Sequence, residues 1–114
     1  MITKPEYQLA AKAVASNITA ALPKVIGYKG HIQKAIIKVV THQEVEDVLD
    51  GRLNQGMVDK LCKIAKNEWA LSGDALSLYY AAMAVATIIK EYGWGTQYLV
   101  EEGMWEIAQR IQNA

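Results

Sequence analysis

Ala75-Leu76-Ser77-Leu78-Tyr79-Tyr80-Ala81-Ala82-Met83-Ala84-Val85-Ala86-Thr87-Ile88-Ile89 is the stretch on which the reading of the fold turns. It holds no charge and lies between Asp74 and Lys90. At 15 residues it falls short of the ~20 that a membrane-spanning helix needs. It is much longer than an ordinary strand, and it is rich in Ala, the best helix former. The reading is a buried central helix over 75–92, apolar almost all round and therefore with neighbours on most sides.

Outward from it, the same helical period recurs. Thr3-Lys4-Pro5-Glu6 is a capping box with proline at a position where a missing amide does no harm. Tyr7, Ala11, Val14, Ile18 and Leu22 then share a face, with Gln8, Lys12, Ser16 and Thr19 opposite and Pro23 as the stop. Over His31 to Val40, Ile32, Ala35, Ile36, Val39 and Val40 fall together, away from His31, Lys34 and Lys38. The β-branched run 36–40 leaves a strand as the alternative. Thr41-His42-Gln43-Glu44 is a second capping box, opening a short helix with Val45, Val48 and Leu49 inward, stopped by Gly51. Met57 to about Leu71 presents Met57, Val58, Leu61, Ile64, Ala65 and Trp69 on one side. Asp59, Lys60, Lys63, Lys66 and Asn67 lie on the other. After the turn at Gly93-Trp94-Gly95, Thr96 caps a last helix, Gln97 to Gln112, with Val100, Met104, Ile107, Ala108 and Ile111 inward. The expectation is an all-α, compact helical bundle of five to six helices, one domain over residues 1–114.

Charge and composition bound the function. Twelve basic side chains balance twelve acidic ones in 114 residues, which argues against a general polyanion binder. The distribution is uneven. Residues 1–40 hold six lysines (Lys4, Lys12, Lys24, Lys29, Lys34, Lys38) against Glu6, whereas 41–56 hold Arg52 against Glu44, Glu46, Asp47 and Asp50. One cysteine, Cys62, excludes an internal disulfide and favours a reducing, cytoplasmic setting. Residues 1–21 lack the apolar core of a secretory signal, and no membrane partner is expected. Asn17-Ile18-Thr19 matches a glycosylation sequon by chance, inside an expected helix.

Catalytic motifs are missing. His31 and His42 have no H-E-x-x-H context and no cysteine pair to complete a zinc site. There is no P-loop, no G-x-G-x-x-G and no G-x-S-x-G elbow. Cys62, beside the apolar side of its helix, reads as a small buried residue. The acids at 44, 46, 47 and 50 read as a solvated face, Glu44 and Asp47 sharing one side. No enzyme activity, cofactor or metal is expected.

Two signals remain. Gly27-Tyr28-Lys29-Gly30, followed by His31 and Lys34, is a G-x-x-G turn ahead of a helix. It resembles the nucleic-acid clamp of KH domains, and the resemblance implies phosphate contacts by Lys24, Lys29, His31, Lys34 and Lys38 with close backbone approach at Gly27 and Gly30. It departs from that family at Gln33, where an apolar residue is usual, and in lacking candidate strands. A tight turn between helices accounts for the same glycines. A helix-turn-helix reading of 41–65 fails on Asp47 and on the acidity of its first helix.

The second signal is aromatic. Trp94, Tyr98 and Trp105, with the acid Glu101, lie off the core face of the last helix, and Tyr and Trp are enriched at protein interfaces. Packing against a neighbouring helix accounts for them as well. The leading expectation is a cytoplasmic, non-enzymatic interaction protein: a regulator, adaptor or inhibitor binding another protein or itself. Accessory proteins of phages and mobile elements are of this kind. The alternative is a nucleic-acid binder using the basic first third.

Overall fold

The computed structural model describes residues 4–20, 22, 29–93 and 101–114, with side chains from Glu6 onward and, in the last helix, from Trp105 onward. Six helices form: α1 Lys4–Thr19, α2 Lys29–Val39, α3 His42–Leu49, α4 Gln55–Ala70, α5 Ala75–Glu91 and α6 Glu101–Asn113. Among the described residues there is no strand. The β-branched run at 36–40 is helical to Val39, because Ile32, Ile36 and Val40 form a ridge that the core buries. The all-α bundle is therefore what the chain adopts. Its radius of gyration, 13.6 Å, matches the ~13 Å of a compact chain of this length.

Local signals place the starts and stops. Thr41 caps α3 as its motif requires: Thr41 Oγ1 accepts from the Glu44 N–H, and the Thr41 N–H donates to Glu44 Oε1 at 2.9 Å. Asn54 caps α4 and Asp74 caps α5, each accepting from the amide three residues on. That contact with the Ser77 amide holds the Asp74 carboxyl below its ordinary value. Gly51 (φ +79°) and Gly73 (φ +72°) end α3 and the α4–α5 turn in left-handed geometry, which costs glycine nothing. The first helix stops at Thr19, short of the expected Pro23. Thr3, Pro23 and the expected start of the last helix at Thr96-Gln97 lie outside the described residues.

Packing corrects several expected faces. Thr19, placed on the polar side of α1, is fully buried, because its hydroxyl donates to Ala15 O at 2.8 Å and accepts from Gln33 Nε2 at 2.8 Å. Val39 and Leu49, expected inward, are exposed, since the ridge of α2 runs through 32, 36 and 40 and α3 is too short to cover its own last residue. Glu44, expected in a solvated acidic face, is only 5% exposed. Its Oε1 accepts from Lys60 Nζ at 2.6 Å, and the same ammonium donates to Val39 O at 3.0 Å. Gly56 leaves room for that carboxylate, for a Cβ there would stand 3.3 Å from Glu44 Oε2.

The helices pack as a chain of pairs. The first helix lies on α2 and α3, α2 on α4, and α4 on α5 and α6, while α5 and α6 pack on each other. Leu78, Ala81, Ala82, Ala84, Val85, Ile88 and Ile89 bring α5 into the common core, as its composition demands. Among the described residues it packs on α4 and α6, Tyr80, Met83 and Ala86 lie partly buried against the core, and Leu76 and Tyr79 face solvent. No helix of the described residues is long and apolar enough to cross a membrane.

Removing the cation from the Glu44–Lys60 pair strands a buried carboxylate. Lys60→Met is expected to cost about 2 kcal/mol in urea unfolding, less than the ~3–5 typical of a wholly buried pair because the Lys60 head is partly wet. Glu44→Gln in that background restores most of the loss, since glutamine keeps the capping box without the charge.

Candidate interaction surfaces

The aromatic group expected at the last helix is only partly within the described residues. Trp94 and Tyr98 lie outside them. Glu101 opens α6, and its side chain is not among those described. Trp105 stands on the outer side of α6, 62% exposed, with Ile107, Ala108 and Ile111 buried behind it. An indole left this wet is a large apolar surface without a partner among the described residues.

The described members of the basic group lie on α2, with His31, Lys34 and Lys38 on one exposed face. Lys24 and Gly27 lie outside the described residues. Gly30 is not in a turn but in the first turn of α2, whose first residue is Lys29. His31 turns its Nδ1 toward Glu68 Oε1 of α4, 3.6 Å away, so a carboxylate stands where the clamp needs a phosphate. Lys34 and Lys38, one turn apart, are exposed on α2. Beside Lys38 runs a shallow groove of about 230 Å³ between α2 and α4, lined by Ala35, Lys38, Val39, Lys60, Lys63, Ile64 and Asn67. Its rim is basic and its floor is apolar. Lys60 is committed to Glu44, which leaves Lys38 and Lys63 as the rim cations without a carboxylate among the described residues. The α4 lysines were visible in the sequence as polar-side residues. Only the packing of α2 on α4 puts them beside Lys38.

A third surface was missed. On α5, Leu76 is 62% and Tyr79 55% exposed, with Tyr80, Met83, Ala86 and Thr87 half-buried beside them. Tyr79 and Tyr80 meet edge to face, ring centroids 6.0 Å apart. Leu71, 81% exposed, leaves the chain in the preceding turn. That turn is held by Ser72 Oγ to Ser77 Oγ at 2.6 Å and by Trp69 Nε1 to Asp74 O at 3.0 Å. A helical wheel separates 76, 79, 83, 87 and 90 from the core ridge 78, 81, 85 and 88. The wheel carries the signal, but uniform apolarity hides it.

The remaining reactive groups are engaged by neighbours. His42 stacks on Tyr7 with centroids 4.2 Å apart, and the Tyr7 hydroxyl donates to Val40 O. Asp47 is held below its ordinary value by hydrogen bonds from Gln43 and Asn54 and by Arg52. Cys62 lies at the bottom of an open groove of about 510 Å³ between α4 and α6, bordered by Asp59, Lys63, Glu106 and Arg110. Burial pushes its thiol from an ordinary value near 9.0 to about 11, with Arg110 opposing the shift. A thiol that stays protonated is a poor nucleophile. Among the described residues no three His, Cys, Asp or Glu side chains gather as a metal site.

Comparison of the chain with protein-family models, with curated proteins and with solved structures finds no match.

The raised value of Cys62 has a pH signature. The unfolded thiol ionises first, so the stabilisation from the buried neutral form is complete below about 9 and is lost as pH rises through about 11. The stability margin of the wild type over Cys62→Ala should shrink across that window in urea titrations. At pH 8, reaction with a disulfide reagent should be slow in buffer and fast in urea.

Proposed function

We propose that this chain is a small, non-enzymatic helical module, a regulator, adaptor or inhibitor acting in a reducing cytoplasm, that binds another protein or a second copy of itself. The observation that carries the reading is the apolar surface at the α4–α5 corner. Leu71, Leu76 and Tyr79 are all more than half exposed within nine residues. Isolated exposed leucines are ordinary, whereas a group of this kind marks a contact surface. Trp105 adds a second exposed aromatic on α6.

Nucleic acid is the second reading, favoured by Lys34, Lys38 and Lys63 along the α2–α4 groove. It is the weaker of the two, because Glu68 faces His31 and the groove floor is Ala35, Val39 and Ile64. Filter binding of single- and double-stranded oligonucleotides at two salt concentrations tests it. Retention that falls steeply with salt, and again in Lys34→Glu/Lys38→Glu/Lys63→Glu, supports it. No retention at low salt removes it.

For the leading reading, the full chain serves as bait in a host extract, beside Leu76→Lys/Tyr79→Lys. The double variant should lose captured partner by roughly tenfold or more, while its far-ultraviolet circular dichroism stays helical. Trp105→Ala probes the α6 side separately. Equal capture by the wild type and both variants would remove these surfaces.

A further inference from the structure

We propose that the groove between α2 and α4 is a docking site for an acidic amphipathic helix of a partner protein, with one apolar side chain seated between Lys38 and Lys63 and carboxylates on either side of it paired with those two cations. The inference rests on the protein-binding reading above and adds to it a second surface with a partner of stated chemistry.

The two walls are charged alike. Lys38 rises from α2 and Lys63 from α4, both exposed, and no carboxylate lines the groove. The described acids nearest to it are engaged elsewhere. Glu44 holds Lys60, Glu68 faces His31, and Asp59 accepts from Gln55 Nε2 at 2.8 Å on the side toward α6. Lys63 stands on the crest between that side and this one. Lys34, one turn before Lys38, extends the charge along α2. Two helices that each bring such a lysine to one cleft create a potential that a partner's carboxylates complement.

The floor selects the class of partner. Ala35, Val39 and Ile64 lie between the lysines, and Val39 is 42% exposed although its side chain is wholly hydrocarbon. Phosphates gain nothing from such a floor. No aromatic ring lines the groove, so nucleic-acid bases have no platform to stack on. An apolar residue with Asp or Glu three or four positions away on both sides presents the matching pattern from one face of a helix.

Size and rigidity agree with a side-chain anchor. The groove holds about 230 Å³, below the ~300–1,000 Å³ of a small-molecule site. Its walls are fixed by two contacts, Lys60 Nζ to Val39 O at 3.0 Å and His31 Nδ1 to Glu68 Oε1 at 3.6 Å. Residue 39 thus lies by 60 and 31 by 68, so the helices run antiparallel and the groove lies between the two ties. A cleft formed in advance lowers the ordering cost of binding.

A display library of random peptides about 16 residues long, roughly four helical turns, is selected on the full chain. Enriched peptides should carry Leu, Ile, Met or Phe with acids three or four positions to either side. Binding of a synthetic enriched peptide should fall roughly tenfold or more in Lys38→Glu/Lys63→Glu and in Val39→Ser. The same peptide with lysine for each acid should bind Lys38→Glu/Lys63→Glu better than the wild type, a gain that a folding defect cannot produce. Backbone amide shifts of Ala35, Val39 and Ile64 should move on titration. No enrichment, basic peptides, peptides without the apolar anchor, or equal binding to the double variant overturns the inference. A single-stranded oligonucleotide whose retention needs Lys38 and Lys63 but not Val39 overturns it in favour of nucleic acid. Self-association lost in Lys38→Glu/Lys63→Glu overturns it in favour of a second copy. If the enriched peptides are lost only in Leu76→Lys/Tyr79→Lys, the groove was wrong and the protein-binding reading stands. If no peptide is enriched and capture from host extract is equal in every variant, both fall.

Discussion

The ammonium of Lys60 is the joint on which the first half of the molecule depends. It donates to Val39 O at the end of α2 and to the Glu44 carboxylate in the first turn of α3, from its own place on α4. One cation thus meets the negative end of one helix, a capping side chain of the next, and the helix beneath both. The Glu44 carboxylate also accepts from the Thr41 amide, so the bend between α2 and α3 is set by hydrogen bonds rather than by loop length. A charge pair at this depth is tolerated because these contacts are made together.

That joint has consequences beyond stability. Once α2 lies on α4, Lys38 and Lys63 stand on one groove while His31 is turned toward Glu68. Of the lysine-rich first third, Lys34 and Lys38 are exposed on α2, and Lys38 shares its groove with Lys63 of α4. The turn glycine that looked like part of a phosphate clamp, Gly30, is helical instead.

The arrangement of α5 follows from the position of α4 between α2, α5 and α6. A helix at the edge of a bundle needs one apolar side, and α5 carries more apolar surface than its two neighbours can cover. The excess, Leu76 and Tyr79 above all, stays at the surface.

Helix count, caps and core ridges were readable from residue order, because capping and the 3.6-residue period act between neighbours in the chain. The ridges 32–36–40, 45–48 and 57–61–65 and the cap Thr41 are of this kind. Burial of Thr19 and Glu44, exposure of Val39, Leu49, Leu76 and Tyr79, and the meeting of Lys38 with Lys63 were not. Each depends on which helix lies against which. Thr19 needed Gln33, 14 residues away, and Glu44 needed Lys60, 16 away. Sequence by itself determined that this chain is helical and which side chains tolerate burial. Tertiary structure alone decided which apolar side stayed uncovered, because an apolar face records a preference for company without naming the neighbour.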